Sequence, residues 1–414
     1  MADVVIIGAG LAGLNCAANL SAQGISCTIL EASDGVGGRA RTDAVDGFLL
    51  DRGFQVLLTA YPEAQRALDY AALDLQAFEP GAVIRYGGKF STLGDPWRRP
   101  SKLLATALSP VGTLADKLRV ASLRRFVLSQ SEDTLLQAPE CSTREALDAW
   151  GFSEAMRERF FRPFLSGIFL RSDLETSARM FHFVFHMFSS GDAALPARGM
   201  GAMADQLAAK LPSGSVRLNA PVKAVTPNGV RLASGEEISA KAVVVATDGV
   251  SASSFLPQLP KRPWRGVWCL YFVCETPPVR GGYLVLNGDG KGPINNLTVV
   301  TEVAASYAPA GKCLISVSVV DGEWRNESQL LPALKVQLRE WFGSQTEAWQ
   351  HLRSYWIPQS LPDQSKESGG VRQIAAKITN RVYVCGDHCD TASINGALAS
   401  GRRAAEAVLE SLRR

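Results

Sequence analysis

The sequence predicts an α/β fold: a parallel sheet with flanking helices, split along the chain, carrying an inserted α+β unit of antiparallel strands and a helical cap. Three observations predict it. The chain opens on an apolar run, Val4 to Ile7, which meets a cluster of glycines and then an Ala/Leu-rich stretch of helical character. A fully apolar run returns at 242–246, and 381–385 reads as one more buried strand, the pattern of parallel strands covered on both faces. Between these points the periodicity changes twice, first to long amphipathic segments with Pro, Trp and Phe clusters, then to short strand-like segments.

Taken in order, the first strand at 4–7 is followed by a helix over 11–22, which Gly24 stops, and by a second apolar strand at 27–30 ending on Glu31. This closes a βαβ unit. From about 61 to 203 the pattern reads as mainly helical. Strands are expected at 215–219, 222–225, 230–233 and 242–246. A second excursion brings strands at 267–273, 282–286, 296–300 and 314–319, which suit an antiparallel sheet, and a helix at 329–342. The strand at 381–385 leads into a last helix over 395–412. A chain of 414 residues exceeds the roughly 250 to 300 at which one core stops growing. Two domains are therefore expected: residues 1–60, 204–258 and 372–414 form the discontinuous sheet-bearing one, and 61–203 with 259–371 form the other.

Composition excludes several classes. With 46% hydrophobic and 20% charged residues the chain is neither disordered nor membrane-spanning in character. A formal net charge of +3 is too small to point to nucleic acid. The eight cysteines are scattered without a CxxC pair, so neither a disulfide framework nor a zinc site is indicated, and no metal is expected. The first residues run directly into the strand without a secretory leader, and no apolar stretch approaches the roughly 20 residues that span a bilayer. The expected location is the cytoplasm, with peripheral contact at a membrane surface as the remaining membrane option.

Gly8, Gly10 and Gly13 form G-x-G-x-x-G between the first strand and first helix. In that setting the glycines allow a tight turn, a close approach of backbone to a pyrophosphate and close helix–strand packing, while the helix N-terminus, with Leu11 and Ala12, offers N–H groups to phosphates. A second glycine set, Gly288, Gly290 and Gly292, lacks the strand-then-helix context and reads as a polar turn. Glu31, at the end of the second strand, suits ribose hydroxyls and disfavours a 2′-phosphate, which leaves FAD or NAD in a Rossmann-like domain.

Glu31 and Ala32, followed by Gly37-Gly38-Arg39 and Arg41-Thr42, resemble the GGRxRT signature of the flavin amine oxidase superfamily, which includes protoporphyrinogen oxidases and carotenoid desaturases. The resemblance continues through Gly53-Phe54-Gln55. It returns at Gly386-Asp387 and at Asn395-Gly396-Ala397. It implies non-covalent FAD, with Arg39 on a phosphate or the flavin's polar edge and Asp387 on a ribityl hydroxyl. The N–H groups of residues 395–397 would address the flavin C2 carbonyl, and the Val222 backbone the adenine.

By the same resemblance, substrate loses hydride to flavin N5 and electrons pass on to oxygen or a quinone. The aromatic cage residue and lysine of the familiar amine oxidases are not evident; Ser393 stands at the cage position. The substrate is accordingly expected to be apolar or amphipathic, isoprenoid, carotenoid or tetrapyrrole-like, with an amine as the alternative and a redox-neutral or structural flavoprotein as a third reading. Catalytic candidates are His388, beside the second flavin segment, and Trp268, in the tryptophan-bearing stretch 264–272. His182 and His186 share a helix face but lack a third metal ligand, so core packing is favoured. The aromatic run at 160–170 suits either a core or a hydrophobic tunnel. Between 95 and 125 seven basic residues, Arg98, Arg99, Lys102, Lys117, Arg119, Arg124 and Arg125, are interleaved with leucines, as on a solvated helix or a surface that rests on anionic lipid.

Overall fold

Strands Val4–Ile7 and Ala242–Val245 are buried at every position, so they can only lie inside a sheet covered on both faces. The computed structural model, which describes residues 3–320, 324 and 326–413, places them at the centre of a parallel five-stranded sheet. Its order is Val216–Arg217, Cys27–Leu30, Val4–Ile7, Ala242–Val245 and Val382–Val384. Helices Leu11–Ser21 and Ile394–Leu412 pack together, with the buried Asn15 side chain donating to the Leu398 carbonyl at 2.7 Å. The first and last helices thus pack on each other beside the sheet.

A second, seven-stranded sheet runs Gln350–Pro362, Trp264–Cys274, Cys313–Val320, Asn296–Val299, Leu284–Asn287, Gly81–Tyr86 and Lys89–Gly94. It adds to two expectations. The stretch 61–203 is not only helical, because the hairpin Gly81–Tyr86/Lys89–Gly94 turns at Gly87-Gly88, both with positive φ, and joins this sheet. The four strands expected over 267–319 do pair antiparallel, and Leu284–Asn287 adds a parallel pairing with Gly81–Tyr86. Gly288 and Gly290 do lie in a turn, after Leu284–Asn287.

Helices Leu103–Leu108, Leu114–Leu128, Arg162–Phe169 and Ala178–Ser190 lie beside that sheet. A capping box starts Leu114–Leu128: Thr113 accepts from the Asp116 amide, while the Asp116 carboxylate accepts from the Thr113 amide. A single π-helical turn, Arg157–Phe161, precedes Arg162–Phe169. Such turns shift the phase of a helix. Here Phe161, Leu165 and Phe169 point into the core, while Phe160, Phe164 and Ile168 line a cavity. The aromatic run therefore serves core and cavity at once, from two adjacent rows of one helix.

Candidate functional site

The site is built from the end of the first strand outward. Helix Leu11–Ser21 begins at an extended Gly10 with neither a side-chain cap nor an acidic residue in its first turn. Its first N–H groups and positive dipole end are therefore left without a side-chain competitor for an anion. Gly8, Gly10, Leu11 and Ala12 line a cavity of about 1130 Å³. A β-carbon added at Gly10 would meet nothing within 4 Å, so this is open cradle; one added at Gly13 would stand 2.1 Å from the Gly8 carbonyl oxygen, so that glycine packs rather than binds. Glu31 is fixed by bonds from the Ala9 amide (2.8 Å) and the Ser33 amide and hydroxyl (2.9 and 2.7 Å), and lines the cavity with Ala32 and Gly38. Pro221 and Val222 form the neighbouring wall.

Arg39 and Asp387 face the same cavity from opposite ends of the chain. They form a bidentate pair, both contacts 2.7 Å, and Arg39 also donates to the Ser360 carbonyl at 2.8 Å and stacks 5.3 Å from the Trp264 ring. Burial would raise the Asp387 carboxyl, but the Arg39 guanidinium outweighs it and holds it below the usual carboxylate range. Expected to address a ligand separately, the two are here joined to each other. Gly53, Phe54 and Gln55 complete this wall, with the Gln55 amide donating to the Arg39 carbonyl at 2.9 Å. Ahead of it the cavity becomes aromatic. Phe54, Phe78, Phe160, Phe164, Phe185 and Phe188 line it, Phe160 and Phe164 stacked at 5.4 Å.

A glycine cradle and fixed carboxylate at one end and an apolar chamber at the other suit a dinucleotide cofactor meeting an apolar reactant. The sequence profile described as flavin-containing amine oxidoreductase matches residues 11–409. The chain belongs to that family. Among its relatives, coproporphyrinogen III oxidase of Propionibacterium freudenreichii is 25% identical over 390 residues, covering 77% of this chain and 72% of that one. Hydroxysqualene dehydroxylase of Rhodopseudomonas palustris is 27% identical over 98% of both chains. The structure of cyclohexylamine oxidase from Brevibacterium oxydans superposes with a TM-score of 0.72 over all of both chains at 18% identity, a likeness of fold. This flavin amine oxidoreductase is accordingly a FAD-dependent enzyme.

The remaining candidate positions divide. Gly386, Asp387 and Ala397 line the flavin enzyme's cavity; Asn395 and Gly396 lie behind it. Helix Ile394–Leu412 is capped by Ser393, whose hydroxyl accepts from the Gly396 amide at 3.0 Å, while the Ala397 amide donates to the Ser393 carbonyl. The cap is thus Ser393 rather than Asn395, whose side-chain oxygen accepts from the Glu63 amide at 3.0 Å. His388 is buried behind Gly386, where an added β-carbon would meet its ring at 2.5 Å. Burial holds its imidazole below the ordinary range, so it packs as a neutral ring outside the cavity lining. Trp268 lies in the second core, its indole donating to the Trp324 carbonyl at 3.1 Å. His182 packs against Phe126 and Phe181, and His186 contacts the Val127 carbonyl at 2.7 Å, as expected for core residues. Sequence reasoning missed Thr247, Asp248 and Ser251, which line the cavity just past strand Ala242–Val245. The rule that ligands sit at the carboxyl ends of parallel strands would have found them.

Asp51, next to the wall residue Arg52 in sequence, is a buried carboxyl with no cation partner among the described residues. It accepts from the Thr42 hydroxyl (2.5 Å), the Met200 amide (2.9 Å) and the Tyr307 hydroxyl (3.0 Å). Burial outweighs those bonds and pushes its pKa from 3.8 to about 6. His182 is the counterpart, pushed by burial from 6.5 down to about 4. The Asp51 contribution is fully present below pH 3.8 and is lost as pH rises through about 6. The His182 contribution is present above pH 6.5 and is lost as pH falls through about 4. The two oppose each other in mildly acidic solution. Asp51→Asn should therefore uncover a steeper acid-side loss of stability than wild type shows, the curves diverging by up to about 3 kcal/mol. Denaturant titrations across that window would check it; parallel curves for variant and wild type would refute it.

Proposed function

We propose that this FAD-dependent enzyme is a dehydrogenase, desaturase or oxidase that takes hydride from an apolar or amphipathic small molecule of the isoprenoid or tetrapyrrole class. The aromatic chamber continuous with the glycine cradle carries this reading: its phenylalanines offer a long apolar substrate dispersion contacts and an environment from which water is excluded. FAD, when bound, supplies the hydride acceptor at flavin N5 and the route onward to oxygen or a quinone. The open helix N-terminus at Gly10–Ala12 would hold the pyrophosphate, Glu31 the ribose and Val222 the adenine. Arg39 and Asp387, paired in the cavity wall, would contact the flavin and its ribityl chain. Binding is non-covalent. The chain divides into a cofactor domain of residues 1–60, 204–258 and 372–414 and a substrate domain of 61–203 with 259–371. The names of two relatives, a coproporphyrinogen III oxidase and a hydroxysqualene dehydroxylase, agree with a tetrapyrrole or isoprenoid reactant.

Amine oxidation is the competing reading, favoured by the description of the matching family as flavin-containing amine oxidoreductase. Oxygen consumption with simple amines, read together with peroxide and ammonia, separates the two. The expected result is no ammonia above the blank; stoichiometric ammonia and peroxide would overturn the proposal.

A further inference from the structure

Helix Leu114–Leu128 buries Asp116, Leu123 and Val127 on one face, so the opposite face should be polar. It is not. Leu114 and Leu118, four residues apart on that outer face, are 63% and 65% exposed. Beside them Leu103 and Leu104 of helix Leu103–Leu108 are 59% and 71% exposed, and Trp97 46%. Lys117 ties the two helices together by donating to the Ala107 and Ser109 carbonyls, both at 2.8 Å. Trp97, Leu103, Leu114 and Leu118 also line the apolar cavity, so the patch is its rim. Single exposed leucines need no explanation, but a contiguous apolar rim on a cavity does.

Charge around the rim selects the occupant. Residues 95–125 hold seven basic side chains against two acidic ones, Asp95 and Asp116. Several of the seven, expected as one solvated stripe, are drawn inward: Arg98 bonds Asp192 and the Phe188 carbonyl, both at 2.9 Å, and Arg124 bonds the Ser189 carbonyl at 3.1 Å. Arg99 pairs with Glu79 at 2.9 Å and Arg119 with Asp116 at 3.6 Å. Lys102 and Arg125 have no carboxylate partner among the described residues, and Arg125 lies on the same outer helix face as Leu114 and Leu118. Leucines at the centre with an excess of positive charge around them are complementary to a lipid surface carrying anionic headgroups. No helix among the described residues is long and apolar enough to cross a membrane.

We infer that the rim formed by Trp97, Leu103, Leu104, Leu114 and Leu118 docks this enzyme on an anionic bilayer surface, so that its apolar substrate enters the cavity from lipid. The second half of this statement rests on the proposed function; the docking itself does not. The test is flotation of the FAD-loaded protein with vesicles of phosphatidylcholine, with and without phosphatidylglycerol. Wild type should float with the anionic vesicles, much less with neutral ones, and be released by high salt. Leu104→Glu combined with Arg125→Glu, both exposed positions outside the cavity lining, should reduce the floating fraction by about tenfold or more with flavin content and melting temperature unchanged. Wild type that floats with neither vesicle, or a double variant that floats equally well, overturns the inference. So does a wild-type dimer that the double variant dissociates in the absence of any lipid binding, which would make the patch a self-association surface. Failure of the two claims is distinguishable: a protein that never floats yet is reduced by a micelle-dispersed isoprenoid loses only the docking surface. One that floats but that no apolar compound reduces loses only the proposed reaction.

Discussion

Gly13→Ala is expected to yield protein that is unstable and carries no flavin. The added β-carbon would stand 2.1 Å from the Gly8 carbonyl oxygen and 3.1 Å from the Ala246 β-carbon. The first neighbour is backbone at the end of the central strand and cannot swing aside, so helix Leu11–Ser21 must move off the sheet. Overpacking at a backbone contact of this kind costs about 3 kcal/mol or more. The displaced helix carries the N–H groups that form the anion cradle, so binding is lost with packing. Gly10→Ala separates the two effects. Its β-carbon meets nothing within 4 Å but projects into the cradle, so the variant should fold as stably as wild type in the flavin-free state while holding FAD much more weakly. Melting temperature and visible flavin absorbance per chain, measured on both variants, check the pair. A Gly13→Ala protein with wild-type stability would show that the helix does not pack as described.

The second large effect is expected at Asp387. Its side chain is 5% exposed and its carboxylate makes two 2.7 Å bonds to Arg39. Asp387→Ala strands a guanidinium that still bonds the Ser360 carbonyl but has lost its counter-charge. Because Arg39 retains some access to the cavity, with 34% of its side chain exposed, the cost falls below that of a fully buried broken pair, about 2 to 4 kcal/mol. Replacing both partners, Arg39→Leu with Asp387→Leu, removes the unpaired charge and should recover most of that stability without recovering flavin. The wild-type pair stabilises the fold at neutral pH; because the Asp387 pKa is depressed, that contribution is lost as pH falls through its folded-state value. Urea titrations of the single and double variants supply the comparison. A double variant no more stable than Asp387→Ala would show that the salt bridge itself, not avoidance of a bare charge, matters.

What could be read from the chain alone was local. The glycine spacing, the apolar strands Val4–Ile7 and Ala242–Val245, and Glu31 at the end of the second strand each declare themselves within about thirty residues, and helix Glu327–Phe342 contains the expected 329–342 span. The Arg39–Asp387 pair was not legible, because 348 residues separate its members and nothing in either segment names the other. Strand Gln350–Pro362 went unseen because its alternation is diluted by Arg353, Ser354 and Gln359, at positions that need only one buried face. The hairpin at 81–94 carried a Gly-Gly turn signal that the surrounding helical stretches obscured. The phenylalanines at 160–164 were legible as aromatic but not as divided between core and cavity. Both sets recur every four residues, so spacing alone does not say which row meets the cavity and which the core.

The most direct test of the central claim is anaerobic reduction of the flavin-loaded enzyme, followed as bleaching of the visible flavin band with porphyrinogens, isoprenoid or carotenoid precursors, and amines. The account predicts bleaching by a member of one of the first two groups and none by amines. Bleaching by amines alone would contradict the apolar-substrate assignment, and a band that no compound bleaches would favour a redox-neutral role for the bound FAD.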